Sequence, residues 1–178
     1  MALIHMPFSR KLIVGSDFHE CLPLLKTGRL LLSRTDGELS NIFIPGFWSH
    51  VGMVTETNSV IEAVTHGVHE IDLYTFFLDK DYVCLLECNY LTEAEQAIAA
   101  EWAIKQTGKP YDFGMVLSNE KAFFCSELVY WAQKAANPNI PFVPEKTFGM
   151  DTITPNDFWA ANKFYKVIWQ SEKSKTAM

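Results

Sequence analysis

The sequence is poor in the features that mark several large classes of protein. No stretch approaches the ~18 consecutive apolar residues of a membrane-spanning helix. Basic residues are in deficit: 15 Lys and Arg stand against 21 Asp and Glu, a formal net charge of -6. A nucleic-acid binder shows a basic stripe, and none is found here. The only basic cluster is Lys166, Lys173 and Lys175, mixed with Glu172, which reads as a solvated tail. Cysteine is sparse too. Four in 178 residues are too few for a small secreted disulfide scaffold. Cys84 and Cys88 share one strand-like run, ~13 Å apart at strand rise, beyond the reach of a disulfide. All four cysteines are therefore read as free thiols.

The N-terminus lacks a secretory pattern. Such a signal places positive charge first and then an uninterrupted apolar stretch of about 7–15 residues. Here Pro7, Ser9, Arg10 and Lys11 break the stretch. The expected location is the cytoplasm, with export open should a leader precede the chain. Repeats, low-complexity segments and internal linkers are also missing. The expectation is a single domain over 1–178, with flexible ends near 1–10 and 171–178.

What is present is an ordinary globular balance, 48% apolar and 20% charged residues. Thirteen Phe, six Tyr and five Trp supply an aromatic-rich core or cleft. Leu30–Leu32 reads as a first strand, Thr35–Gly37 as a turn and 41–46 as a helical turn ended by Pro45-Gly46. Ser49–Thr55 alternates, with His50, Gly52 and Val54 on one face. Ser59–Val64 follows after a polar turn, and the two make a hairpin. Asp72–Leu78 reads as a short helix and Tyr82–Cys88 as another strand. Thr92–Thr107 carries a capping box, Thr92 with Glu95, and closes at Gly108. Cys125–Ala136 is a second helix, with Leu128, Val129, Ala132 and Ala136 at helical spacing. Thr154-Pro155 opens a third, and Phe164–Trp169 is a last strand. The fold class is α+β, an antiparallel sheet with helices packed beside it.

Cys125 is the residue placed to react. Apolar residues lead into it and a helix begins at it. A helix N-terminus carries partial positive charge and unpaired backbone N–H groups. Both lower a thiol pKa, and the same N–H groups can hold an oxyanion. Burial as a plain core cysteine is the competing reading for any one Cys. Cys21, Cys84 and Cys88 lack such a setting and are assigned to core or surface.

A thiol nucleophile needs a base. Of the five histidines, His50 alone sits inside a strand, beside Gly52, which leaves room on that face. A lone strand histidine is more often a satisfied sheet residue, so His50 gains weight only with a partner. Glu62, on the next strand, can orient the imidazole. If residues 54 and 58 pair, 50 opposes 62; a longer-looped register puts Thr65 opposite 50 instead.

Four segments then resemble a known family in the same order. They are Ser49-His50-Val51-Gly52-Met53, Ile61-Glu62-Ala63-Val64, Lys109-Pro110-Tyr111-Asp112 and Phe124-Cys125-Ser126-Glu127-Leu128-Val129. Together they resemble the permuted papain-like amidases of the YiiX/YaeF type. Those are circular permutants of NlpC-type cell-wall peptidases, related to the lecithin:retinol acyltransferase family. The order is informative, because ordinary papain-like enzymes carry Cys before His. The resemblance spans roughly Leu24 to Ala136. It implies a circularly permuted papain-like fold and a cysteine peptidase or amidase working through a thioester acyl-enzyme. It implies Cys125 as nucleophile, His50 as base and Glu62 as third member. It also implies Tyr111, with Trp48 and Ser126, near the substrate, and neither a metal nor an organic cofactor.

The expected partner is a small peptide, amide or acyl substrate. Three alternatives stay open. An acyltransferase or lipid thioesterase would use the same residues, with Phe47, Trp48, Phe123, Phe124 and Trp131 lining an acyl groove or simply forming core. His66, His69, Glu70 and Asp72 could hold a metal, although Gly67 and Val68 argue against the helix that His-x-x-His spacing favours. A non-catalytic binding module on the same fold is the third.

Overall fold

Alternation along the central strands is what builds the architecture. In a computed structural model describing residues 13, 15–38, 41, 44–56, 58–78, 80–117, 121–141, 144–147 and 150–177, the chain forms α1 (Gly15–Cys21), a 3-10 turn (Leu22–Leu24), β1 (Leu30–Arg34), β2 (His50–Glu56), β3 (Ser59–Val64), β4 (Gly67–Asp72), α2 (Leu73–Phe77) and β5 (Tyr82–Cys88). There follow α3 (Glu93–Ile104), α4 (Cys125–Ala136), β6 (Glu145–Thr147), β7 (Met150–Thr152), α5 (Pro155–Ala160), β8 (Tyr165–Gln170) and α6 (Glu172–Ala177). The main sheet runs β4-β3-β2-β1-β5-β8, and every pair in it is antiparallel.

Both faces of this sheet are covered. Leu30, Leu32, Val51, Met53, Ile61, Cys84 and Leu86 point to one core, shared with Ala99 and Ala103 of α3 and Leu128, Val129 and Ala132 of α4. Leu31, Val54, Val60, Val83 and Leu85 point to a second core, closed by Cys21, Leu73, Phe76, Phe77 and Trp169. Burial on both faces explains the near-continuous apolar runs in β1 and β5.

The sheet, the hairpin and the helices at 93–104, 125–136 and 155–160 lie where the sequence places them. Capping boxes close the starts of α3 (Thr92 with Glu95) and α5 (Thr154 with Asp157), while Asp72 caps α2 by accepting from the Thr75 N–H at 3.0 Å. Cys21, Cys84 and Cys88 are buried free thiols. The segment 1–10 lies outside the described residues, as does part of the expected helical turn at 41–46.

Three expectations need correction. The hairpin takes neither proposed register. Met53 pairs with Ile61 and Val54 with Val60, then the register shifts so that Glu56 pairs with Ser59. A bulge between Val54 and Glu56 absorbs one residue, which sequence alternation cannot reveal. The room expected beside Gly52 is filled. A Cβ there would stand 2.6 Å from Val60 Cγ1 and 3.3 Å from Phe76 Cε2, so the glycine admits close packing of Phe76 onto the sheet.

The third correction concerns the basic cluster, read as a solvated tail. Lys173 is ion-paired to the body of the protein, while Lys166 and Lys175 are exposed. Ser171 and Ser174 are buried, and Ser171 donates its backbone N–H to the Val83 carbonyl at 3.0 Å. Lys173 Nζ reaches Asp81 at 2.8 Å and Asp36 at 3.1 Å. Asp81 is fully buried, so α6 supplies a cation to a buried carboxylate. Lys173→Met should therefore lower stability by about 2 kcal/mol in chemical denaturation. An unchanged denaturation midpoint would show that the α6 contact is dispensable.

Candidate active site

The site is assembled where the start of α4 meets the start of β2. Asn156 fixes the approach to β2. Its Oδ1 accepts from the Trp48 N–H at 2.8 Å, and its Nδ2 donates to the Trp48 and Pro45 carbonyls at 2.7 and 2.6 Å. Nothing in the sequence pattern marks Asn156 for this work, because its partners lie more than 100 residues away. His50 then opens the strand.

With Val54 on Val60, continuing the register sets Gly52 opposite Glu62 and leaves His50 diagonal to it on the same face. Diagonal neighbours remain within reach of long side chains. His50 Nε2 and Glu62 Oε2 lie 2.6 Å apart. The Phe76 ring flanks the imidazole, with centroids 6.1 Å apart.

The other side of the imidazole serves Cys125, which shares a hydrogen bond with it. Since Nε2 is taken by Glu62, Nδ1 is the nitrogen left for the sulfur. Cys125 is the first residue of α4 and is 2% exposed. The first backbone bond of that helix runs from the Leu128 N–H to the Phe124 carbonyl, so the N–H groups before it have no partner within the helix.

The electrostatics form a chain. Burial pushes Glu62 up, but the His50 charge and hydrogen bond, with Lys80 and His69 nearby, hold it below the ordinary carboxylate value. Burial favours neutral His50, yet the Glu62 charge and the bonds to Cys125 and Glu62 raise its pKa to about 10. Burial likewise pushes the Cys125 thiol up. The His50 hydrogen bond and charge, with the Val51 and Ser126 backbone amides, reverse this and hold it below the ordinary thiol value. The arrangement favours a thiolate beside an imidazolium. The other cysteines go the opposite way: burial lifts Cys21 to about 12 and raises Cys84 and Cys88.

These groups face one cleft of about 670 Å³, whose lining includes Cys125, His50, Glu62, Tyr111, His69 and Phe76. Tyr111 is held by a short parallel bridge to Phe123, just before the helix. Burial, then the charges of Cys125 and Asp112, push its phenol up, so it stays a neutral hydroxyl beside the sulfur.

Two expected substrate contacts are not in the cleft. Trp48 is fully buried, packed against Phe47 and Trp159. The Ser126 side chain is buried and donates to the Ile153 carbonyl at 2.7 Å; only its backbone amide faces Cys125. Phe123 and Phe124 are core, and Phe47 and Trp131 pack against that core.

His66, His69, Glu70 and Asp72 do not converge. Strand alternation sends His69 to Glu62 and Glu70 to Thr55, while Asp72 caps α2. Among the described residues no group of three His, Cys, Asp or Glu side chains is spaced to hold a metal ion. His69 is the site neighbour that sequence reading missed. Its only signal is position, opposite Glu62 on a strand not recognised as one.

Cys125 should be alkylated faster than the other three cysteines at pH values below the ordinary thiol value, as followed by mass spectrometry. His50→Ala should slow Cys125 by about tenfold or more and leave the others unchanged. Equal reactivity of all four thiols would refute the coupling.

Comparison with known proteins agrees with this fold. A likeness of fold links the chain to the crystal structure of metalloprotein YiiX from Escherichia coli O157:H7, with a TM-score of 0.59 and 20% identity over 85% of this chain and 92% of that one. Comparison with curated proteins returns no match. Residues 24–171 match the family of permuted papain-like amidase enzymes, YaeF/YiiX, and the chain belongs to that family.

Proposed function

We propose that the protein is a cysteine-dependent hydrolase that cleaves an amide bond through a thioester acyl-enzyme, with Cys125, His50 and Glu62 as its working residues. The observation that carries this is one alignment. Glu62 lies 2.6 Å from His50 Nε2, His50 lowers the pKa of the Cys125 thiol, and all three line one cleft.

The geometry supports the following sequence of steps. The Cys125 thiolate attacks the substrate carbonyl carbon, and the carbonyl electron pair moves to oxygen. Backbone N–H groups at the start of α4, which have no partner within the helix, stabilise that oxyanion. The tetrahedral adduct collapses, the C–N bond breaks, and the leaving amine takes its proton from His50. His50 then accepts a proton from water, whose oxygen attacks the thioester, releasing the acid and restoring the thiolate. Glu62 holds the imidazole in the productive tautomer throughout. Tyr111 borders the acyl position as a hydroxyl donor. A small peptide, amide or acyl compound suits a cleft of this size. Among the described residues no helix is long and apolar enough to cross a membrane.

The pH dependence has a defined sign. Activity needs the thiolate, so it is lost as pH falls through the lowered Cys125 value. It also needs the His50 proton for the leaving group, so it falls again as pH rises through about 10. The two limbs belong to the coupled pair rather than to either residue alone.

Amide and ester substrate panels should be run with wild type, Cys125→Ala and Glu62→Gln. Cys125→Ala should lose turnover by about a thousandfold or more, and an acyl adduct should be trapped on Cys125 by mass spectrometry. Glu62→Gln should lower kcat by about tenfold or more while the protein stays folded. Turnover surviving in Cys125→Ala would end the proposal. Cleavage of acyl esters with no amide cleavage would move the substrate class to lipid-like acyl compounds.

A further inference from the structure

Glu62 does more than meet His50. Its carboxylate has two oxygens, and each is met by a histidine. Oε2 lies 2.6 Å from His50 Nε2, and Oε1 lies 3.2 Å from His69 Nε2. His69 is the direct cross-strand partner of Glu62 in the β3–β4 pairing, so this contact is set by the sheet register. The side chain of Glu62 is only 7% exposed, so solvent does little to fix its orientation.

The His69 ring is itself held in place. His66, on the turn before β4, stacks on it with centroids 4.4 Å apart and planes 5° from parallel. Its Nδ1 is buried and makes no hydrogen bond among the described residues. A proton on Nδ1 would be a buried donor with nothing to receive it. The hydrogen that faces the carboxylate is therefore on Nε2, donating to Glu62.

We propose that His69 is a positioning residue, whose Nε2–H pins one oxygen of Glu62 so that the other stays on His50. This rests on the reading of Cys125 as the nucleophile. The reasoning is geometric. A carboxylate held at one oxygen can rotate about its terminal bond, since that torsion is broad. Held at both, it presents a fixed lone pair to His50. The ionisable groups around this carboxylate are His50 from β2, His69 from β4, and Lys80 following α2. His50 in turn meets Cys125 from α4. Among the described residues, the two side-chain hydrogen bonds of Glu62 are those with these histidines.

The test follows Cys125 alkylation by iodoacetamide against pH in wild type, His69→Gln, His69→Leu, Glu62→Gln and the His69→Leu/Glu62→Gln double variant. His69→Leu should slow alkylation by about tenfold between about pH 6 and 7 and move the acid limb toward the free thiol value. His69→Gln retains an N–H donor and should stay within a few-fold of wild type. In the Glu62→Gln background, His69→Leu should add no further loss, because the route through the carboxylate is already broken. A wild-type profile in His69→Leu overturns the proposal. So does an equal loss with Glu62→Gln already present, which marks a merely structural role. Nitrogen-15 NMR of the wild-type imidazoles needs no variant to fold: His69 should carry its proton on Nε2, and a bare Nε2 overturns the assignment. Slow alkylation of wild-type Cys125 at every pH is a different failure: it removes the nucleophile reading and the proposal with it, whereas a bare Nε2 on His69 removes the proposal alone.

Discussion

A carboxylate buried in a sheet keeps its charge only if something beside it compensates for lost water, and Glu62 is in that position. Its side chain is 7% exposed. The compensation comes from His50, which becomes harder to deprotonate because Glu62 is charged. That proton then favours the anionic form of Cys125. The order of causes runs from Glu62 to His50 to Cys125. Each link depends on distances of hydrogen-bond length, so the surrounding sheet must be rigid. Phe76 packed over Gly52 and the Asn156 clamp on the segment before β2 both serve that rigidity.

The contrast among the four cysteines shows how environment alone separates them. All four are buried. Cys84 lies in the first core and Cys21 in the second, and burial makes their thiolates unfavourable. Cys125 suffers the same desolvation, yet its helix start and its histidine reverse the outcome. A helix terminus alone supplies a modest effect, on the order of 1 kcal/mol. The imidazolium at hydrogen-bond distance is the larger contribution, since a charged partner in a dry site acts with little screening.

Much of this was legible in the sequence, and the reasons are local. Helix α3 announces itself through Thr92 and Glu95, and α4 through its apolar spacing from Cys125 onward. The nearness of His50 and Glu62 followed from two adjacent strands of matching parity. The details that depend on long-range packing were not legible. The bulge between Val54 and Glu56 changes which residues oppose one another without changing the alternation. Strand β4 begins at a glycine and sets His69 beside Glu70, which breaks the polar–apolar alternation, so the pattern does not mark it as a strand. Trp48 precedes the site histidine closely in sequence, yet the segment turns it into the core. Helix α6 looked like a solvated basic tail, because the buried Asp81 that Lys173 meets lies 92 residues away.

Rigid elements carry the reacting groups, and loops carry much of the cleft wall. Cys125, His50, Glu62 and His69 sit on a helix and three strands, whereas Thr35, Glu38 and Tyr111 lie on connecting segments. Such a division lets substrate choice vary while the chemistry stays fixed. In this chain the two parts are joined at one turn. Gly67, at φ +112°, opens β4, and a Cβ there would stand 2.6 Å from the Lys109 carbonyl oxygen. The Val68 N–H donates to that same carbonyl at 2.9 Å, and the Gly108 N–H donates to the Val68 carbonyl at 2.8 Å. The turn that stacks His66 on His69 therefore also anchors the segment leading to Tyr111. The strand that carries His69 and the segment that carries Tyr111 are thus joined through backbone hydrogen bonds, so both walls of the cleft share one support.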